Sequence, residues 1–278
     1  MDWLHALISG IIQGVTEFLP ISSSGHLVIY NTLLGEGDTS LAFTVFLHFA
    51  TLLSVIIVFK KDIWMLIREF FTALRDILRG KPNFKTPERK FLLMVVIATI
   101  PAVLVGVGIK LLNLDHILEN IFVVAVMLIV TSIFMFCIDR FNKGEYTEAD
   151  APTKTSWFVG LLQAVAILPG LSRSGSTIFG GILFGLKKEF AIRFAFILSI
   201  PAILGAGLIE VLNIVRDGNF GLDIFSSVIG FIAAAVCGVF SIKFVKALIR
   251  NNKFYVFGIY CLVASAVAFL VGFGVIQL

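Results

Sequence analysis

The run Gln13-Gly-Val-Thr-Glu17-Phe-Leu-Pro20-Ile-Ser22-Ser23-Ser24-Gly25-His26 puts an acid, an imidazole and three consecutive hydroxyls into one short stretch of chain. Gln13 and Glu17 are four apart, so a helix would carry both on one face. A carboxylate beside an imidazole is the pairing that general acid or base work near neutral pH requires. A second run, Leu168-Pro169-Gly170-Leu171-Ser172-Arg173-Ser174-Gly175-Ser176-Thr177, supplies a different chemistry. The Arg173 guanidinium is a planar fork of donors that suits a phosphate, and backbone amides at the start of a following helix would add positive charge. Small residues let an anion come close. Taken as a pair, the runs fit phosphoryl transfer, which needs positive charge on the phosphate oxygens, an in-line nucleophile and a group that moves a proton. A GxxxxGK phosphate loop is absent, which disfavours a nucleotide-driven motor.

Both runs interrupt apolar sequence. The chain is 58% apolar and 14% charged, far from the composition of a soluble domain. Leu41 to Phe59, Phe91 to Ile109, Ile121 to Ile138, Ile224 to Ile242 and Phe254 to Val275 contain no Asp, Glu, Lys or Arg, and Phe190 to Leu208 carries only Arg193. Each is long enough to cross a hydrocarbon core of roughly 30 Å. Asp2 precedes the first apolar run with no basic leader before it, so that segment is expected to remain in the mature protein. The three cysteines, Cys137, Cys237 and Cys261, lie within apolar spans without CxxC spacing and read as packing residues.

Sliding the chain by about 150 residues aligns Gln13 with Gln163 and Ser22-Ser23-Ser24-Gly25 with Ser172-Arg173-Ser174-Gly175, with the Leu-Pro pairs one residue out of register. This is an internal duplication. Each copy holds one interrupted segment and three spans, and an odd number of crossings turns the second copy upside down. The expected fold is therefore an all-α polytopic membrane protein with six transmembrane helices and two re-entrant helix hairpins in an inverted repeat. The copies are 1–150 and 151–278. Leu4 to Leu34 and Trp157 to Leu186 read as the hairpins, because Pro20 and Pro169 end one half-helix and the serines after them cap another. Unpaired backbone at that depth must face protein or a water-filled cavity, so the breaks predict a cavity. An ordinary proline kink is the alternative for either segment alone.

Lys60, Lys61, Arg68, Arg75, Arg79, Lys81, Lys85, Arg89 and Lys90 concentrate between the first two clean spans, which sets that loop on the cytoplasmic side. Counting crossings, Arg140, Lys143, Lys154, Lys187, Lys188, Lys243, Lys246, Arg250 and Lys253 also fall inside. The loops near Asp38, Asp115 and Asp217 and both termini fall outside. Asp62 to Arg79 reads as an amphipathic helix on the cytoplasmic surface, with Ile63, Leu66, Ile67, Phe70, Phe71 and Leu74 toward lipid. A helix extending into water is the alternative. Arg193 is expected to snorkel, and His48 either packs in its span or faces the cavity. His5 and His116, near interfaces, receive no role.

Residues Glu17 to His26 with the preceding Gln13, together with Pro169 to Thr177, resemble the undecaprenyl-diphosphate phosphatase family, also called the bacitracin-resistance family. The resemblance covers essentially the whole chain. It implies a bacterial plasma-membrane enzyme, open to the outer face, that hydrolyses undecaprenyl diphosphate to the monophosphate. It also implies dependence on a divalent cation, Mg²⁺ or Ca²⁺. The family's (Glu/Gln)-x-x-x-Glu motif corresponds to Gln13 and Glu17, here with one carboxylate where some members have two; Gln13 can still offer a carbonyl oxygen to a hard cation. The proposed nucleophile matches Ser23, the histidine His26 and the phosphate-binding arginine Arg173. Around them Ser22, Ser24, Gly25, Ser172, Ser174, Gly175 and Thr177 would cradle the phosphates.

Two routes stay open at this level. Ser23 could attack with His26 as base, the preferred route, or His26 could attack directly, oriented by Glu17. The partners expected are a prenyl diphosphate lipid and the bilayer, with no nucleic acid; a homodimer is possible, and the sequence does not decide whether the chain dimerises. A secondary transporter or lipid flippase is the rival class, because opposed re-entrant hairpins are also transporter architecture.

Overall fold

The structure, a computed structural model, describes residues 2–34, 41–81, 83–112, 120–141, 144–217, 223–248 and 253–276. Asp38, Asp115, His116, Lys143 and Arg250, to which the sequence assigns sides or interfaces, lie outside the described residues. All regular structure longer than a single bridge is helical among the described residues. Their eleven helices are α1 (Trp3–Thr16), α2 (Ser23–Leu34), α3 (Leu41–Val58), α4 (Lys60–Leu78), α5 (Pro87–Leu111), α6 (Ile121–Arg140), α7 (Thr153–Val165), α8 (Arg173–Leu183), α9 (Lys188–Asp217), α10 (Ile224–Leu248) and α11 (Tyr255–Gly272).

Among the described residues, helices α5, α6, α9, α10 and α11 are each long and apolar enough to cross a membrane, and α3 with α4, joined at a 90° bend, makes a sixth candidate when the pair is counted together. Side-chain caps set several starts. Thr86 accepts a hydrogen bond from the Arg89 amide at the head of α5, with Pro87 in the first turn, and Asn120 does the same for Phe122 and Val123 at α6.

The two interrupted segments fold as pairs of half-helices, α1 with α2 and α7 with α8. The longest, α1, has 14 residues, and at 1.5 Å per residue spans roughly 21 Å, short of a crossing of roughly 30 Å. The first arms stop four residues before the prolines, at Thr16 and Val165, rather than at Pro20 and Pro169. A proline ring collides with the carbonyl four residues earlier, and those carbonyls belong to Thr16 and Val165.

Contacts between the halves come in exchangeable pairs. Arm α1 packs on α10 while arm α7 packs on α5; α3 packs on α10 while α9 packs on α5. The α6–α11 and α3–α9 contacts map onto themselves under the same exchange. Small residues allow the close approach. A methyl group at Gly10 would overlap the Gly230 backbone of α10, and one at Gly160 would overlap Ala98 of α5. Helices α5 and α9 and the residues just after α1 and α3 build an aromatic core in which Phe18 and Phe59 both meet Phe196, and Phe91 meets Phe190 and Phe194.

Helix α4 departs from its expected orientation in part. Trp64, Ile67, Phe70, Phe71 and Leu74 are exposed, but Leu66 is buried and Ile63 packs against the core. Arg89 fixes α4 against α5, reaching Glu69 at 3.1 Å and Asp76 at 2.6 Å. Arg193, expected to snorkel, reaches acidic partners at the end of its span. It pairs with Asp62 at 2.6 Å and Glu148 at 2.9 Å while its guanidinium lies over the Phe91 ring, so it ties α4 and the 144–152 segment to α9.

Candidate active site

Glu17 follows the last turn of α1 and is 7% exposed. A lone carboxylate at that depth is very costly, and here three donors from both halves of the chain satisfy it. Gln13 Nε2 donates to Oε2 at 2.9 Å and Ser23 Oγ donates to the same oxygen at 2.5 Å. Arg173 Nη2 donates to Oε1 at 2.6 Å, and Nη1 reaches the Ser199 carbonyl at 3.3 Å. The acid of the first break and the arginine of the second thus form one ion pair, its carboxylate buried and its guanidinium partly exposed.

The backbone of each break is held for this purpose. Ser22 has φ 72°, left-handed for a residue that carries a Cβ, which costs of order 1–3 kcal/mol unless the surroundings enforce it. That conformation sends the chain into α2 with Ser23 on its first turn, while Ser22 Oγ accepts from the Gly25 amide at 3.3 Å. In the second break the left-handed residue is Gly170, φ 88°, pressed so closely on Val124 of α6 that no side chain fits. Thr131 of α6 donates to the Gly170 carbonyl and accepts from the Ser172 amide, both at 3.0 Å. Ser172 then caps α8 by accepting from the Gly175 amide at 3.0 Å. Sequence reasoning missed Thr131, because a threonine inside an apolar span carries no local signal of what it holds.

A cavity of about 440 Å³ opens against this pair. Its polar wall comprises Glu17, Ser22, Ser23, Ser24, Ser172 and Arg173, joined by His48, Thr99 and Gln163. Much of the remaining wall is apolar and comes from the halves of α5 and α9 that follow Pro101 and Pro201, where the small residues Ala102, Gly106, Ala202, Gly205 and Ala206 alternate with larger ones such as Val103, Val107 and Ile209. At its far end Lys110 of α5 and Glu210 of α9 pair at 3.0 Å. His48, for which packing and cavity roles were both open, does both: Nδ1 bonds the Thr44 carbonyl at 2.8 Å while the ring lines the cavity.

Other expected residues stand elsewhere. His26 is not oriented by Glu17 and does not meet Ser23. Its Nδ1 bonds the Ser22 carbonyl at 2.7 Å, its Nε2 bonds Tyr260 Oη of α11 at 2.8 Å, and the two rings stack. The reason lies in the competing partners: Ser23 is taken by Glu17, while the Ser22 carbonyl and Tyr260 of α11, a partner that the sequence does not announce, take both nitrogens of His26. Gly25, Ser174, Gly175 and Thr177 do not line the cavity either. Ser174 Oγ donates to the Leu19 carbonyl at 3.1 Å and so stitches the breaks together, and Thr177 Oγ1 donates to the Arg173 carbonyl at 2.8 Å.

The donor set does not suit a preformed cation cage at Gln13 and Glu17. Hard cations take six or more oxygens, whereas both Glu17 oxygens are engaged and one is already neutralised by Arg173. Among the described residues no three histidine, cysteine or acidic side chains come together. One orphan oxygen, Gln13 Oε1, is buried without a partner in the protein.

Serines, one buried acid and one arginine, drawn from the two broken segments, thus meet at one cavity. The family model described as "Bacitracin resistance protein BacA" matches residues 6–267. This chain belongs to the BacA family. It is 41% identical over 273 residues to the undecaprenyl-diphosphatase of Methanobrevibacter smithii, covering 97% of this chain and 98% of that one. The undecaprenyl-diphosphatases of Methanosphaera stadtmanae and Alkaliphilus metalliredigens are similar at 38% and 36% identity, with the same coverage. Glu17 and Arg173, one from each of the two motifs that carry the resemblance, are the residues that the BacA fold brings into contact.

Proposed function

We propose that this BacA-family chain is an integral membrane phosphatase that hydrolyses undecaprenyl diphosphate to undecaprenyl phosphate and inorganic phosphate. The observation that carries this reading is the hydrogen bond from Ser23 to Glu17 beside Arg173. A hydroxyl donating to a buried carboxylate is a nucleophile with its base already in place. In the reaction, Ser23 Oγ attacks the distal phosphorus and its proton passes to Glu17. The bond to the bridging oxygen breaks, and undecaprenyl phosphate leaves. Water then hydrolyses the phosphoserine. Arg173, whose fork has donors beyond those spent on Glu17 and Ser199, neutralises the phosphate oxygens, aided by the N-terminal amides of α2 and α8. The apolar wall of α5 and α9 accommodates the start of the prenyl chain.

On this reading residues 1–150 and 151–278 are inverted copies, the cavity opens to the outer face of the plasma membrane, and the enzyme recycles the lipid carrier of cell-wall synthesis and gives bacitracin resistance. A divalent cation, Mg²⁺ or Ca²⁺, would arrive on the diphosphate, since the protein offers it one carboxylate. The test is phosphate release from undecaprenyl diphosphate by the purified protein in detergent, where no second compartment exists. Turnover that Ser23→Ala abolishes is expected; no release above that variant's background would overturn the reading.

A further inference from the structure

Gln163 lies on the last full turn of α7, is 2% exposed and lines the cavity. Neither Nε2 nor Oε1 has a hydrogen-bond partner in the protein. Leaving a buried amide unpaired is costly, so a native chain rarely keeps one without use. Because both ends are unpartnered, nothing turns on which of them is the nitrogen.

The duplication sharpens the point. Gln13, the counterpart of Gln163, donates to Glu17 four residues later. Position 167 of the second copy is Ile, so Gln163 lacks the partner that its counterpart keeps. Yet it remains polar and buried, and it lines the same hollow as Arg173. Thr99 of α5, also lining the cavity, does not relieve it, since its hydroxyl donates to the Val95 carbonyl at 2.7 Å.

We infer that Gln163 is a substrate-binding residue whose Nε2 donates to a phosphate oxygen of the lipid diphosphate. The inference rests on the phosphatase reading and assigns the second hairpin a further contact to the anion beyond Arg173. An amide suits this role because it adds a directed donor without adding charge, and so does not compete with Arg173 for Glu17.

The test compares wild type with Gln163→Met, which keeps the length, and Gln163→Glu, which keeps the shape but removes the donor. For each, KM and kcat for undecaprenyl diphosphate and the thermal midpoint without substrate are measured. A hydrogen bond to a charged group predicts that Met raises KM by about tenfold or more, with kcat moving less. Glu, which repels the anion, should raise KM further. The midpoint of the Met variant should hold or rise, because an unpaired amide leaves the interior. A wild-type KM in both variants overturns the inference. So does a raised KM accompanied by a lower midpoint in both, the mark of an amide that holds the fold. Failure of the phosphatase reading is separable: wild type then releases no phosphate, and Gln163 is judged by whether inorganic diphosphate raises the midpoint of wild type but not of Gln163→Met.

Discussion

Arg173 and Glu17 are 156 residues apart in the chain and 2.6 Å apart in space. Removing one member of such a pair strands the other: Arg173→Ala leaves a buried carboxylate without its cation, a loss on the order of 3–5 kcal/mol. Phosphate release should fall by about a hundredfold or more as well. Glu17→Gln added to Arg173→Ala removes the stranded charge, so most of the stability returns while turnover does not. Thermal unfolding and phosphate release on the single and double variants check this; a double variant that recovers turnover would sink the assignment of both residues.

Ser23, not His26, is expected to carry the phosphoryl group. Acid-quenched wild-type enzyme should retain label on Ser23 as an acid-stable ester, whereas label on His26 would be lost in acid. His26→Phe preserves the ring that stacks on Tyr260 and gives up only the hydrogen bonds to Ser22 and Tyr260. Turnover within about tenfold of wild type is expected, with a stability loss of about 1 kcal/mol per bond. An acid-labile phosphoenzyme would reverse the roles.

The second break should be the more brittle of the two. Gly170→Ala forces a methyl group onto Val124 at a left-handed φ, and Thr131→Val removes one donor and one acceptor at once. Each unsatisfied backbone group costs about 1–3 kcal/mol, so Thr131→Val should lower the thermal midpoint and reduce kcat through a displaced Arg173. Thr131→Ser, which keeps the hydroxyl, should restore both; a Val variant indistinguishable from wild type would show that the break holds itself.

Titrating Mg²⁺ or Ca²⁺ into the substrate-free protein is expected to leave its thermal midpoint unchanged. Gln13→Glu places a second carboxylate beside Glu17, lowering the midpoint without cation by like-charge repulsion and making it cation-dependent. Saturable stabilisation of the wild type, lost in Gln13→Ala, would show a protein-held cation that its donor set does not suggest.

The breaks are legible in the sequence because their residue types act locally: a proline collides with its own preceding turn, and a serine caps its own following one. The six spans are legible for the same reason, since length and apolarity are properties of a segment. What stays hidden depends on partners far along the chain. Thr131, Tyr260 and Ser199 look like ordinary span residues until folding sets them against Gly170, His26 and Arg173. Leu66 reads as lipid-facing because a leucine satisfies lipid and protein core alike, and only the packing of α4 on its neighbours separates them. Gln163 is visible because it aligns with Gln13 at an offset of 150, but its isolation follows from position 167 and from a cavity formed by other helices.

The arms α1 and α7 each dock on a span from the opposite half, α10 and α5. During synthesis α1 therefore emerges long before its seat exists, and α7 arrives to find its seat waiting. Half-helices too short to cross cannot rest stably in lipid with open backbone, so the amino-terminal hairpin must linger at the surface until α10 is threaded. The seat of α1 thus exists only once α10 is in place, and a chain cut short before α10 would insert its early spans yet leave Glu17 without the packing that positions it.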